Sequence, residues 1–136
     1  MKNLLILATM LFTFSFANAQ SKLPIGTWKG IYFCSQGETG LTLELNKYGN
    51  NSKTEFYGTF EFYPNSSSSN ARYGKYSVKG KIIEGKIVIT PNEWIIRPEN
   101  YYMVGLTGVL SQQNLRFTGA ITSPSNACGE FDVRKQ

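Results

Sequence analysis

Hydrophobic and polar residues alternate with a period of two along most of the chain after Lys22. Leu41, Leu43 and Leu45, for example, are separated by polar residues. This is the pattern of a β-strand with one apolar face. Turn-forming residues recur about every ten positions, as in an all-β domain. We find no helical pattern beyond one turn near Trp94.

The alternating segments predict eight strands. Segment 64–70 is too polar to pack, so we interpret it as a mobile loop. Glu84-Gly85 predicts a tight hairpin turn, and segments 35–40 and 91–100 predict longer breaks. The predicted strands are 26–34, 41–46, 56–63, 73–83, 86–90, 102–110, 115–121 and 131–133.

The first residues have the features of a secretory signal peptide. Lys2 precedes the apolar run 4–16, and Ala17-Asn18-Ala19 is a small-x-small cleavage pattern. The run is shorter than the roughly 20 residues that a membrane-spanning helix needs. We therefore predict a cleaved signal at 1–19, followed by one domain at 20–136 that is periplasmic or secreted and does not span the membrane.

The two cysteines bear on how the sheet closes. In an oxidising compartment Cys34 and Cys128 most simply form one disulfide. Cys34 ends the first strand and Cys128 precedes the last, so a bond between them favours an antiparallel meander closed into a barrel. Direct opposition of the cysteines would place Trp28 and Phe131 on opposite faces, unless a bulge or a one-residue offset intervenes. A β-sandwich whose sheets the disulfide joins is the alternative.

Composition excludes several kinds of chemistry. The chain has no histidine and one aspartate, Asp132, which argues against His-based catalysis, His-containing zinc sites, calcium loops and paired-aspartate sites. Glu38 with Glu93 or Glu99 could form a glycosidase pair, but nothing in their spacing requires it. We therefore predict a protein that is not an enzyme and uses no cofactor or metal.

The formal charge of +5 becomes +4 once Lys2 is removed with the signal. This charge is mild, and it does not argue for nucleic acid as a partner. Lys75, Lys79 and Lys81 share parity along the fourth strand and predict a basic ridge on its outer face. The ridge suits an anionic partner, or it is a solvated surface that prevents aggregation.

The best candidate for a recognition surface is the segment 94–102. Trp94, Tyr101 and Tyr102 supply aromatic rings, and Arg97 can bind a carboxylate or phosphate through two nitrogens. We predict that these four residues bind the partner. The structural alternative is that Trp94 plugs one end of the barrel with Arg97 stacked on it.

Gly26-Thr27-Trp28 resembles the Gly-x-Trp signal of lipocalin-like proteins and the opening of avidin-type barrels. That resemblance implies that Trp28 packs at one end of a barrel. Tyr32-x-Cys34 followed by an apolar strand also resembles periplasmic inhibitors of c-type lysozyme, which are small disulfide-bonded barrels.

A wider resemblance covers most of the chain after residue 25. It joins Gly-Thr-Trp-x-Gly-x-Tyr-x-Cys-x-Gln-Gly-x-Thr-Gly-Leu-x-Leu-x-Leu, residues 26–45, to Trp-Ile-x-x-Pro-x-x-Tyr-x-Met-Val-Gly-Leu-x-Gly, residues 94–108, and the late Cys128. These motifs resemble small uncharacterised β-domains of exported bacterial proteins. The resemblance implies a compartment and an architecture, but no activity.

The sequence therefore predicts an exported, non-enzymatic binding domain for a protein or glycan of the cell envelope, which includes inhibition of an envelope hydrolase. A lipocalin-like carrier of a small apolar ligand is the alternative, and it requires an open cavity. A glutamate-dependent glycan hydrolase is the third hypothesis.

Overall fold

A computed structural model describes residues 22–65, 70–125 and 127–136. The predicted signal peptide, the centre of the serine-rich loop and Asn126 lie outside these residues. The described part of the chain contains no helix long and apolar enough to cross a membrane. Its eight strands are β1 (Gly26–Cys34), β2 (Gly37–Lys47), β3 (Glu55–Pro64), β4 (Gly74–Ile83), β5 (Lys86–Ile96), β6 (Gly105–Leu110), β7 (Arg116–Thr122) and β8 (Glu130–Lys135).

The strands form an antiparallel meander that closes on itself. Each strand pairs with its neighbours in the sequence, and β1 also pairs with β8. The closed barrel predicted from the cysteines is therefore confirmed, and the sandwich alternative is not the fold. Closure leaves neither β1 nor β8 as a free edge along these pairings.

A one-residue offset at the disulfide resolves the conflict between the two faces. Tyr32 lies opposite Phe131, and continuing this register places Cys34 opposite Gly129. The amide of Gly129 donates a 2.8 Å hydrogen bond to the carbonyl oxygen of Phe33. Cys34 bonds instead to Cys128, one residue earlier in the chain. Trp28 and Phe131 can therefore both be buried inside the barrel.

Aromatic rings occupy the centre of the barrel. Phe60 stacks on Tyr76 with ring centroids 4.7 Å apart, and Phe117 meets Phe131 edge to face at 4.8 Å. Such pairs add to the stability that comes from burying the apolar surface. The fully buried large side chains are Trp28, Tyr76, Phe56, Phe60, Phe62, Phe117, Phe131, Leu41, Leu43, Leu45, Ile87 and Ile89.

Trp28 seals the end of the barrel where β1 begins, which we call the closed end. Its indole nitrogen donates a 3.0 Å hydrogen bond to the carbonyl oxygen of Pro24, and the side chain is 1% exposed. The segment before β1 therefore crosses this end of the barrel. The prediction that Trp28 packs in the core is confirmed.

The fifth strand is longer than the sequence predicted. It continues through Pro91 to Ile96, so the expected connection at 91–100 and the helical turn near Trp94 are wrong. Two register shifts against β4 accommodate the extra residues, and Ser77 accepts a 3.1 Å hydrogen bond from the amide of Glu93 beside them. Pro91 is tolerated because β5 pairs with β6 only through residues 87–89.

The second and sixth strands also differ from the prediction. β2 begins at Gly37 because Ser35 and Gln36 alone make the turn, with Gly37 at a φ of 96° that favours glycine. β6 begins at Gly105 because residues 101–104 leave the sheet at the end of the barrel opposite Trp28, which we call the open end.

Charge is distributed unevenly between the two ends. The half of the barrel nearer the closed end carries ten lysine and arginine residues and four acidic residues. Asp132 is counted in this half because it pairs with Arg116 at the start of β7. The half nearer the open end is weakly acidic. Its charged residues are Arg72, Lys75, Arg97, Glu38, Glu61, Glu93, Glu99 and Glu130.

Candidate binding site at the open end of the barrel

Four connections meet at the open end, and they surround a cup of about 300 Å³. They are the turn 35–36, the segment 97–104 and the described residues of the segments 65–73 and 123–129. We call this concavity the open-end cup. Its lining consists of Tyr32, Cys34, Ser35, Gln36, Asn70, Asn100, Tyr101, Tyr102, Val104, Ser123, Ser125, Ala127 and Cys128.

The phenol of Tyr32 reaches the cup from inside the barrel. Gln36 donates hydrogen bonds from its side-chain nitrogen to the Tyr32 hydroxyl at 3.3 Å and to Oγ1 of Thr39 at 3.2 Å. Burial raises the pKa of Tyr32 well above its ordinary value of 10.0. The hydroxyl is therefore neutral at physiological pH and can donate a hydrogen bond to a ligand.

Two consecutive tyrosines on the segment 97–104 have different environments. Tyr101 stacks on Phe62, with centroids 5.3 Å apart and an interplanar angle of 12°. Tyr102 is 78% exposed. Asn100 precedes them with a φ of 63°, in the left-handed region that asparagine tolerates better than most residues. One ring therefore anchors the segment, and the other is free to contact a partner.

Contacts between the connections hold the cup in shape. The amide of Asn70 donates to the carbonyl oxygen of Gln36 at 3.3 Å, and the amide of Arg72 donates to the hydroxyl of Tyr101 at 2.9 Å. The Cys34–Cys128 disulfide joins the end of β1 to the segment 123–129. Three of the connections are thus linked to one another and the fourth is tied to β1, so less order must be gained on binding.

The structure divides the four predicted binding residues into two pairs. Tyr101 and Tyr102 line the cup. Trp94 lies half-buried within β5, and the centroids of its ring and the Tyr76 ring are 5.3 Å apart. Arg97 lies over the Trp94 ring at 5.8 Å. These contacts match the structural alternative for Trp94, and its predicted place in a loop is wrong.

Phe62 connects the two pairs. Its ring centroid lies 6.2 Å from that of Trp94 and 5.3 Å from that of Tyr101. Trp94 therefore lies behind the cup, packed against Phe62, and is not part of the lining. Arg97 is exposed beside it. A partner larger than the cup could therefore contact Tyr102 and Arg97 together.

Sequence reasoning missed the polar residues of the cup. In the sequence, these residues are typical of turns: they are Gln36, Asn70, Asn100, Ser123 and Ser125. A signal was present, because in an antiparallel meander every second connection lies at the same end. Counting connections from the first turn assigns the segments that hold all five to one end of the barrel.

The predicted basic ridge lies on the outer face of β4, but acidic residues flank it. Lys81 is 3.8 Å from Glu55, and Lys75 lies opposite Glu61 in the pairing with β3. Tyr57 lies opposite Lys79. This arrangement resembles a solvated charged surface more than a concentrated site for anions.

The three glutamates proposed for catalysis do not line the cup. Glu38 lies on β2 opposite Phe33, while Glu93 is exposed on β5 and Glu99 is exposed in the segment after it. Within the described ranges, no group of three or more cysteine, aspartate or glutamate side chains could hold a metal ion.

Comparison with protein-family models, with curated proteins and with solved structures finds no match for this chain. The resemblance to exported bacterial β-domains therefore stays a prediction. The geometry of the barrel is what bears on function.

Proposed function

We propose that this barrel is an exported, non-enzymatic binding domain that recognises a glycan of the cell envelope through the open-end cup. The observation that carries the proposal is the lining of the cup, which combines amide, hydroxyl and phenol groups. No described residue of the lining is charged.

This chemistry suits a carbohydrate. Side-chain amides of Gln36, Asn70 and Asn100 can donate to and accept from sugar hydroxyls. The exposed ring of Tyr102 can pack against the apolar face of a sugar ring. A neutral lining offers no countercharge to an ionic ligand, so a neutral sugar unit fits it better than a phosphate or a carboxylate.

A protein partner is the second candidate, and exposed apolar residues beside the cup favour it. Ile95 is 55% exposed and Ile96 is 45% exposed, on the same strand as Trp94 and close in sequence to Arg97. Aromatic residues and arginine often dominate binding at protein interfaces. Inhibition of an envelope hydrolase is one form of this candidate.

The carrier alternative has less support. The rings of Phe60, Phe62 and Tyr76 contact one another where a central cavity would be needed. The cup lies at the mouth of the barrel, beside polar groups, rather than in an apolar interior. An apolar ligand would leave those polar groups without partners.

The proposal can be tested by titrating the domain 20–136 with neutral N-acetylhexosamine oligosaccharides while NMR amide shifts are recorded. We expect the largest shifts at Gln36, Asn100 and Ser123. Tyr102→Ala should weaken binding about three- to tenfold, the range for an aromatic contact.

Tyr48→Ala is the matched control, because Tyr48 is 59% exposed near the closed end. It should bind like the wild type. Equal losses in both variants, or shifts that spread over both ends, would argue against the cup as the site. Absence of binding to oligosaccharides together with capture of an envelope protein through Tyr102 would favour the second candidate.

A further inference from the structure

The closed end of the barrel holds a second concavity, with a volume of about 400 Å³ and a different chemistry. Four lysines line it: Lys22, Lys47, Lys53 and Lys135. Leu23 and Ile25 contribute apolar walls, and Ser52 adds a hydroxyl. We call this concavity the lysine groove. It lies at the end of the barrel opposite the open-end cup.

The chain before β1 forms one side of the groove. The amide of Ile25 donates a 2.9 Å hydrogen bond to the carbonyl oxygen of Leu23, so this segment is curled rather than extended. The bond from Trp28 to Pro24 ties the same segment to the core. Lys22 and the two apolar walls are therefore held beside the buried indole.

Lys135 forms the opposite side of the groove. It pairs with Trp28 across β1 and β8, and its Nζ lies 6.0 Å from the centroid of the indole ring. Gly26 leaves room for this side chain, because a Cβ there would lie 3.1 Å from Cε of Lys135. The ammonium group is thus directed across the closed end.

Lys53 lies on a connection that is fixed on both sides. Oγ of Ser52 accepts a 3.0 Å hydrogen bond from the amide of Glu55, and the carbonyl oxygen of Thr54 accepts one of 2.9 Å from Ile82. Lys47 is the last residue of β2. The positions of both lysines along the backbone are therefore set before any ligand binds.

The four ammonium groups lack an acidic partner within the described parts of the chain. The ion pairs found there are Lys81 with Glu55 and Arg116 with Asp132, and none of the four lysines takes part. Glu55, two residues from Lys53, is thus already paired with Lys81. An anion in the groove would supply the countercharge that these four lysines lack.

We propose that the lysine groove binds a phosphate-bearing anion with two or more negative charges. Lysine binds phosphate as a point charge, and several lysines around one groove suit a polyphosphate or a pyrophosphate group. The excess positive charge of this half of the barrel would steer such a ligand towards the closed end. The apolar walls would contact an uncharged part of the same ligand.

The experiment measures binding of inorganic pyrophosphate to the domain 20–136 at low ionic strength by titration calorimetry. We expect saturable binding that weakens as salt is added. Lys47→Gln combined with Lys53→Gln should weaken it about tenfold, because each exposed ionic contact accounts for roughly a threefold effect. Thermal unfolding of the variant shows whether it is folded.

Lys75→Gln combined with Lys79→Gln is the matched control, since it removes the same charge from the side of the barrel. It should change binding by less than about twofold. Equal weakening by the two double variants would show a diffuse field instead of a site and would overturn the proposal. Absence of saturable binding to the wild type would overturn it as well.

Vesicles distinguish the two sources of such a phosphate. Binding to vesicles that contain cardiolipin, whose headgroup carries two phosphates, with none to phosphatidylcholine alone and a loss in the Lys47/Lys53 variant, supports the proposal with a lipid headgroup as ligand. Binding of pyrophosphate without binding to either vesicle supports it with a soluble ligand. The cup variant Tyr102→Ala should behave like the wild type in both assays, so this proposal can fail independently of glycan binding.

Discussion

The hydroxyl of Tyr76 binds both backbone polar groups of Val104. It donates a 2.7 Å hydrogen bond to the carbonyl oxygen and accepts one of 3.1 Å from the amide. Val104 lies just before β6, beyond Ile89 and Leu106, the last residue pair between β5 and β6. The phenol therefore supplies the hydrogen bonds that a neighbouring strand would otherwise make to Val104. Burial raises the pKa of Tyr76 well above its ordinary value.

Replacing Tyr76 by phenylalanine should destabilise the barrel by about 1–3 kcal/mol, because a buried amide and a buried carbonyl lose their partner. Urea unfolding measures this difference. Tyr57→Phe is the control, since Tyr57 is 46% exposed on β3 and should change stability little. Equal stability of Tyr76→Phe and the wild type would show that water replaces the hydroxyl.

Removing the disulfide should destabilise the domain by about 2–5 kcal/mol. The bond closes a loop with a sequence separation of 94, and long loops lose the most chain entropy when they are cross-linked. Cys34→Ala combined with Cys128→Ala should lower the thermal midpoint by about 10–20 °C. A midpoint within a few degrees of the wild type would mean that β1–β8 pairing closes the barrel unaided.

The same variant should bind the cup ligand more weakly, because the segment 123–129 loses its link to β1.

Adding a methyl group at position 58 should destabilise the folded barrel. A Cβ at Gly58 would clash with the backbone carbonyl oxygen of Glu44, which cannot move without disturbing β2. We expect Gly58→Ala to destabilise the fold by roughly 1–3 kcal/mol. Gly129→Ala is the control, since the nearest atom to a Cβ there is Cβ of Phe33 at 4.0 Å. Equal effects of the two substitutions in chemical denaturation would contradict the packing argument.

Stability should depend on the charge of Asp132 at acid pH. Nε of Arg116 donates to its carboxylate at 3.0 Å, and this hydrogen bond lowers the pKa of Asp132 below its ordinary value of 3.8. A lowered pKa in the folded state means that the stabilisation is present above pH 3.8 and is lost as the pH falls through the folded-state value. The stability difference between wild type and Asp132→Asn should therefore shrink below about pH 4. Urea unfolding from pH 2 to pH 7 measures it, and a constant difference would show that the pair is energetically silent.

The alternation of apolar residues was sufficient to predict eight strands and their faces. Leu41, Leu43 and Leu45 are all buried, as their spacing predicted. The positions of Cys34 and Cys128 predicted closure of the barrel. Periodicity could not predict that β5 continues through residues 91–96. Pro91 is a strong indicator of a strand end, and the bulges change which face each residue after Pro91 occupies.

The chemistry of the two ends was beyond the reach of periodicity. Lys22, Lys47, Lys53 and Lys135 lie far apart in the chain, yet they surround one groove because the ends of β2 and β8 and the start of β1 meet at the same end of the barrel. The residues of the cup come together for the same reason at the other end.

The sequence by itself therefore determined the strand content, the direction of most side chains and the means of closure, since each depends on neighbours two residues apart or on a covalent bond. Tertiary structure alone decided which distant residues share a surface, since this depends on strand register and on where each strand ends. It placed Trp94 behind the cup and Tyr102 at its edge, although one segment of sequence carries both residues.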